Sequence, residues 1–144
     1  MHSNPWPGVI LACMLSTTTA TRAQPAIAPC PDKPNCVSSL ATDKRHFTEP
    51  LTFTGEPADA WARLRAILQA QPRTRIVAEQ DGYLHAECRS LVFRFVDDVE
   101  FVMQPELMAI QVRSASRTGY GDFGVNRRRI ERLREHFAVA KPPD

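Results

Sequence analysis

Apolar residues recur along this chain with two different periods. Between Glu56 and Gln71, Trp61, Leu64 and Leu68 fall at i, i+3 and i+7, with Ile67 alongside, which places one apolar stripe on a helix. Pro57 suits the first helical turn, Asp59 complements the dipole there, and Pro72 ends the helix near Gln71. The period then drops to two. Residues 51–54 have already alternated as a short strand, and 75–79 form another, followed by Asp81-Gly82, a two-residue hairpin signal. In 83–88, Leu84, Ala86 and Cys88 alternate with Tyr83, His85 and Glu87. In 93–103, Phe95, Val99, Phe101 and Met103 share a face, and in 107–114 so do Met108, Ile110 and Val112. If Pro105-Glu106 closes these two runs by pairing Gln104 with Leu107, Phe101 faces Ile110, Val99 faces Val112, and Asp98 faces Arg113 in an opposite-charge pair. A last helix opens at Asp122 as N-cap and carries Phe123, Asn126, Ile130, Leu133 and Phe137 on one stripe. This order predicts an α+β fold: an antiparallel, meandering sheet of three to five strands with two helices packed on one face.

Length limits the chain to one domain: 144 residues hold a single core. A net charge of +2 is too small to point to nucleic acid by global electrostatics, and no apolar run approaches the roughly 18 residues of a membrane-spanning helix. Residues 1–23 read as a signal segment, with an apolar run at 9–15 and a small-residue stretch suited to cleavage after Ala23, although 1–8 lack the usual Lys or Arg. Ile10-Leu11-Ala12-Cys13 also resembles a lipoprotein box, in which Cys13 would carry lipid. The expectation is export, to the periplasm or outer envelope; a cytoplasmic tail is the alternative. Residues 24–36 form a proline-rich strap, and 37–140 form the domain.

In an oxidising compartment Cys30 and Cys36 are the disulfide pair that the spacing offers. No second ligand pair supports a metal site, the spacing is not Cys-x-x-Cys, and the histidines stand in no catalytic arrangement, so no metal and no cofactor is expected. Cys88 reads as a small core hydrophobe.

Polar chemistry concentrates between Ser90 and Arg129. Asp98 and Glu100 share a strand face, where two carboxylates can hold a cation or act as acid and base; the plainer reading is that they neutralise Arg113 and other arginines. Arg113, Ser114, Ser116, Arg117 and Tyr120, with Gly119 and Gly121, precede a helix N-terminus, a combination that can cradle an anion or simply build a junction. Asp122 would repel an anion there. Asn126 lies in an apolar stripe and needs partners, for which strand-end backbone is the expected source. Arg127, with Arg128 and Arg129, can meet nucleic acid or an anionic membrane, but such runs are more often a solvated helix face.

Three blocks carry a family resemblance: 30–39, from Cys30-Pro31-Asp32-Lys33-Pro34-Asn35-Cys36; 95–101, Phe95-Val96-Asp97-Asp98-Val99-Glu100-Phe101; and 112–129, through Arg117-Thr118-Gly119-Tyr120-Gly121-Asp122 to Asn126-Arg127-Arg128-Arg129. The chain resembles, over residues 29–137, the bacterial and plastid family called domain of unknown function 1499. The resemblance implies no activity. It does imply export, because members often follow a signal peptide, a lipoprotein signal or membrane segments. The expected function is a non-enzymatic envelope domain that binds a protein partner or a small anionic ligand through Asp98, Glu100, Arg113, Ser114, Ser116, Arg117, Tyr120, Asn126 and Arg127. The alternatives are a hydrolase-like enzyme with a strand carboxylate and an arginine anion clamp, and a nucleic-acid-binding module.

Overall fold

The computed structural model describes residues 26–139. Residues 1–23, expected to be a signal segment, with Cys13, and the tail from Ala140 onward lie outside the described residues. In chain order the elements are β1 (Cys36–Ser38), β2 (Leu51–Thr52), α1 (Pro57–Ala70), β3 (Thr74–Gln80), β4 (Tyr83–Arg89), β5 (Val96–Gln104), β6 (Ala109–Ser116) and α2 (Val125–Val139).

The strands form one antiparallel sheet in the order β1-β6-β5-β4-β3, and β2 also pairs with β6. The period-two strands send alternate residues to one side, where Leu84, Ala86, Val99, Phe101, Ile110 and Val112 meet both helices. α1 contributes Ala60, Leu64 and Leu68, and α2 contributes Ile130, Leu133 and Phe137. The chain is therefore an α+β domain with two helices on an open antiparallel sheet.

Six strands exceed the expected three to five because β1 forms where the proline-rich strap ends, at Cys36, and runs into the first residues of the domain. Three residues are too few to show a period, yet Cys36 pairs with Ala115 and Ser38 with Arg113. The strap's Cys30–Cys36 disulfide, with Cα atoms 5.7 Å apart, ties the segment before β1 to the strand itself. Closing so short a loop removes little chain entropy. Replacing both residues, Cys30→Ser with Cys36→Ser, should cost about 2 kcal/mol in urea unfolding.

The β3–β4 hairpin has the predicted two-residue turn: Gln80 pairs with Tyr83, and Gly82 takes the positive φ that this turn requires. The β5–β6 hairpin does not. A 3₁₀ turn at Pro105–Leu107 and a left-handed Met108 make the connection four residues long, so Gln104 pairs with Ala109 rather than Leu107. The register moves by two, which keeps every side chain on its predicted face and changes every partner. Phe101 faces Val112, Glu100 faces Arg113, and Asp98 faces Ala115. β5 also begins at Val96 rather than near Phe93, which leaves 91–95 as an exposed loop.

Candidate functional site

The predicted site residues divide between the two faces of the sheet. Alternation along β5 turns Asp98 and Glu100 away from the helices and buries Asp97 beneath them. On the outer face Arg117 grips Asp98 with two nitrogens, Nε to Oδ2 at 2.8 Å and Nη2 to Oδ1 at 2.7 Å. The same Nη2 donates to Glu87 Oε1 at 2.6 Å, and His85 Nε2 lies 2.7 Å from Asp98 Oδ1. One strand-row away, Arg113 and Tyr83 both donate to Glu100, at 2.7 and 3.0 Å. Asp98 and Glu100 are thus spent on neighbouring strands.

The Arg117 hydrogen bonds hold Asp98 and Glu87 below the usual carboxylate range. Burial, then the charge of Glu100, pushes Tyr83 up to about 12. Carboxylates whose folded pKa is depressed stabilise the fold above their unfolded values of about 4, and this is lost as pH falls through the folded values. Arg117→Ala should therefore lower the melting temperature at pH 7 and approach the wild type by about pH 2. An equal deficit at both pH values would contradict the pairing.

The inner face holds a buried polar cluster around Asn126, which has no exposed surface. Its Oδ1 accepts from Ser114 Oγ at 2.5 Å and from Arg129 Nη1 at 2.7 Å. Its Nδ2 reaches Asp122 Oδ2 at 2.7 Å, Ser116 Oγ at 2.9 Å and the Asn35 carbonyl at 3.1 Å. Arg129 also donates to Ser114 Oγ and pairs with the buried Asp97. The partners of Asn126 are thus hydroxyls and charged groups as well as strand backbone.

At the helix start, Asp122 accepts from the backbone N–H of Gly124 at 2.9 Å and of Asn126 at 2.8 Å, so an internal carboxylate occupies the position of the anion that the junction pattern suggested. Asp122 acts from three residues ahead of α2, and Phe123 lies outside the helix at φ 52 and almost wholly exposed, not in the apolar stripe. Tyr120 is exposed nearby. Arg127 donates to the carbonyls of Phe47 and Arg45, both at 2.8 Å, and Arg134 to Thr48 and to the Glu49 carbonyl. These α2 arginines clamp the 45–49 segment.

A third feature was not anticipated. The α1–β3 turn, the end of β4 and α2 enclose a groove of about 380 Å³ lined by Arg73, Arg89, Arg129, Arg132, His136 and Ser90, among others. Among the described residues no carboxylate lines it. Arg129 is paired with Asp97, and Arg89 lies 3.6 Å from Glu87. Arg73 and Arg132 have no acidic partner among the described residues. The antiparallel pairing of β3 with β4 brings Arg73 beside Arg89, whose N–H donates to the Arg73 carbonyl at 3.0 Å. Half of the signal was present in the sequence: Arg129, Arg132 and His136 fall at i, i+3 and i+7 on one helical stripe. Among the described residues no group of three or more His, Cys, Asp or Glu is placed to hold a metal ion.

The family described as "Protein of unknown function (DUF1499)" matches residues 26–137, and the chain belongs to it. No curated protein matches the chain.

Proposed function

We propose that this member of the family is a binding module of the cell envelope, not an enzyme, and that it takes a small phosphate-bearing anion in the groove between the α1–β3 turn, the end of β4 and α2. The observation that carries this reading is the lining itself: four arginines and His136 converge with no carboxylate among the described lining residues. Guanidinium groups match the acceptor geometry of phosphate, and a concave site concentrates their field. The polar junction then serves as framework, since the Asn126 cluster fixes Arg129 on the groove wall.

Other features support the rest of the reading. A carboxylate can serve as general base only if it is free and poised. Asp98 and Glu100 are instead held by Arg117 and Arg113. Of the arginine run that a nucleic acid would need, Arg127 and Arg128 are engaged with backbone carbonyls and Arg129 with Asp97. The Cys30–Cys36 disulfide suits an oxidising compartment and so an exported domain.

Thermal unfolding with inorganic phosphate, glycerol phosphate and citrate tests the proposal. A ligand present at 100 times its dissociation constant should stabilise the protein by about 2.7 kcal/mol. Arg73→Ala with Arg132→Ala should abolish that shift and Arg117→Ala should keep it. The reverse pattern would move the site to the outer sheet face.

A further inference from the structure

We propose that the groove receives its phosphate from the headgroups of an anionic bilayer, with the 91–95 loop inserted into the membrane interface beside it. This rests on the anion-binding reading of the groove and adds the source of the anion. The loop is the β4–β5 connection. Leu91, Val92 and Phe93 are 72%, 75% and 74% exposed, and Phe95 is 54% exposed. The Phe93 and Phe95 rings stack with centroids 5.5 Å apart.

Ser90 closes the base of this loop: its N–H donates to the Phe95 carbonyl, and its hydroxyl accepts from the Phe95 N–H, both at 2.9 Å. Ser90 also lines the groove, so the apolar tip begins where the arginine lining ends. The junction leaves β6 at the same end of the sheet, since the Arg117 N–H donates to the Val96 carbonyl at 3.1 Å. It carries two more exposed aromatics, Tyr120 at 70% and Phe123 at 96%.

Charge and shape select the occupant. Arg94 sits within the apolar tip, and like Arg73 and Arg132 it has no acidic partner among the described residues. Apolar and aromatic side chains flanked by arginine suit the boundary between acyl chains and anionic headgroups. A stable protein interface needs about 800 Å² of surface on each partner, more than a loop this short offers. Interfacial insertion asks only for a few side chains at the right depth.

The test uses the full chain and two measurements: co-sedimentation with vesicles of phosphatidylglycerol in phosphatidylcholine or of phosphatidylcholine alone, and thermal stabilisation by glycerol phosphate. Binding is expected to the anionic vesicles only. Phe93→Ser with Phe95→Ser should reduce that binding about tenfold or more while keeping the glycerol phosphate response. Arg73→Ala with Arg132→Ala should lose both. Wild-type vesicle binding by the phenylalanine double variant would overturn insertion, and equal binding to both vesicle types would overturn headgroup recognition. Stabilisation by glycerol phosphate without vesicle binding would overturn the membrane source and leave the groove reading standing. No response to either would overturn both.

Discussion

Asn126→Ala is expected to cost about 3 kcal/mol or more, because one truncation strands several buried polar groups at once. The Asn126 side chain joins β6, the strap and α2: it contacts Ser114 and Ser116, the Asn35 carbonyl, and Asp122 and Arg129. Alanine cannot replace any of these bonds, and the cavity it leaves is lined by groups that water must reach or that go unpaired. Burying an unsatisfied donor or acceptor costs about 1–3 kcal/mol, so the loss should exceed that of an ordinary surface change severalfold. In a domain of this size that corresponds to a fall in melting temperature of roughly 10–20 °C. A loss below about 1 kcal/mol would mean that the cluster relaxes around the gap and is not the clamp described.

Arg129→Met is the second large effect. Asp97 is 5% exposed and pairs with Arg129 beneath α2. Removing one partner leaves a buried charge uncompensated, at about 3–5 kcal/mol, whereas replacing both partners with neutral groups is commonly far cheaper. Adding Asp97→Asn to Arg129→Met should therefore recover much of the loss, giving a strong coupling in a double-mutant cycle of urea midpoints. Additive costs would contradict the buried pair.

The parts of the fold legible in the sequence are those governed by local period and turn chemistry. α1 follows from Pro57, Pro72 and the Leu64/Leu68 stripe, and the Asp81-Gly82 hairpin from its turn residues. The face of each residue in β4, β5 and β6 follows from alternation, including the opposed directions of Asp97 and Asp98. Pairing partners were less legible, because they depend on how many residues a connection consumes. Pro105-Glu106 suggested two, and the 3₁₀ turn with Met108 takes four. Phe123 matched the α2 stripe by spacing, but Asp122 caps the helix from outside it, which leaves Phe123 in the loop.

The candidate residues were legible as a polar concentration but not as two clusters on opposite faces of a sheet. Separating Arg117 from Ser114 and Asn126 needs the alternation of β6 and the placement of α2 together. The groove was hidden for a different reason. Its arginines come from a turn, a strand end and a helix, and only the β3–β4 register brings Arg73 and Arg89 together.

Amide chemical shifts recorded while glycerol phosphate is titrated into the protein test the central claim most directly. The largest changes should fall at Arg73, Arg89, Ser90, Val125 and Arg132, around the groove. Changes confined to 113–122, or none at saturating ligand, would contradict an anion site there and return the search to the outer face of the sheet.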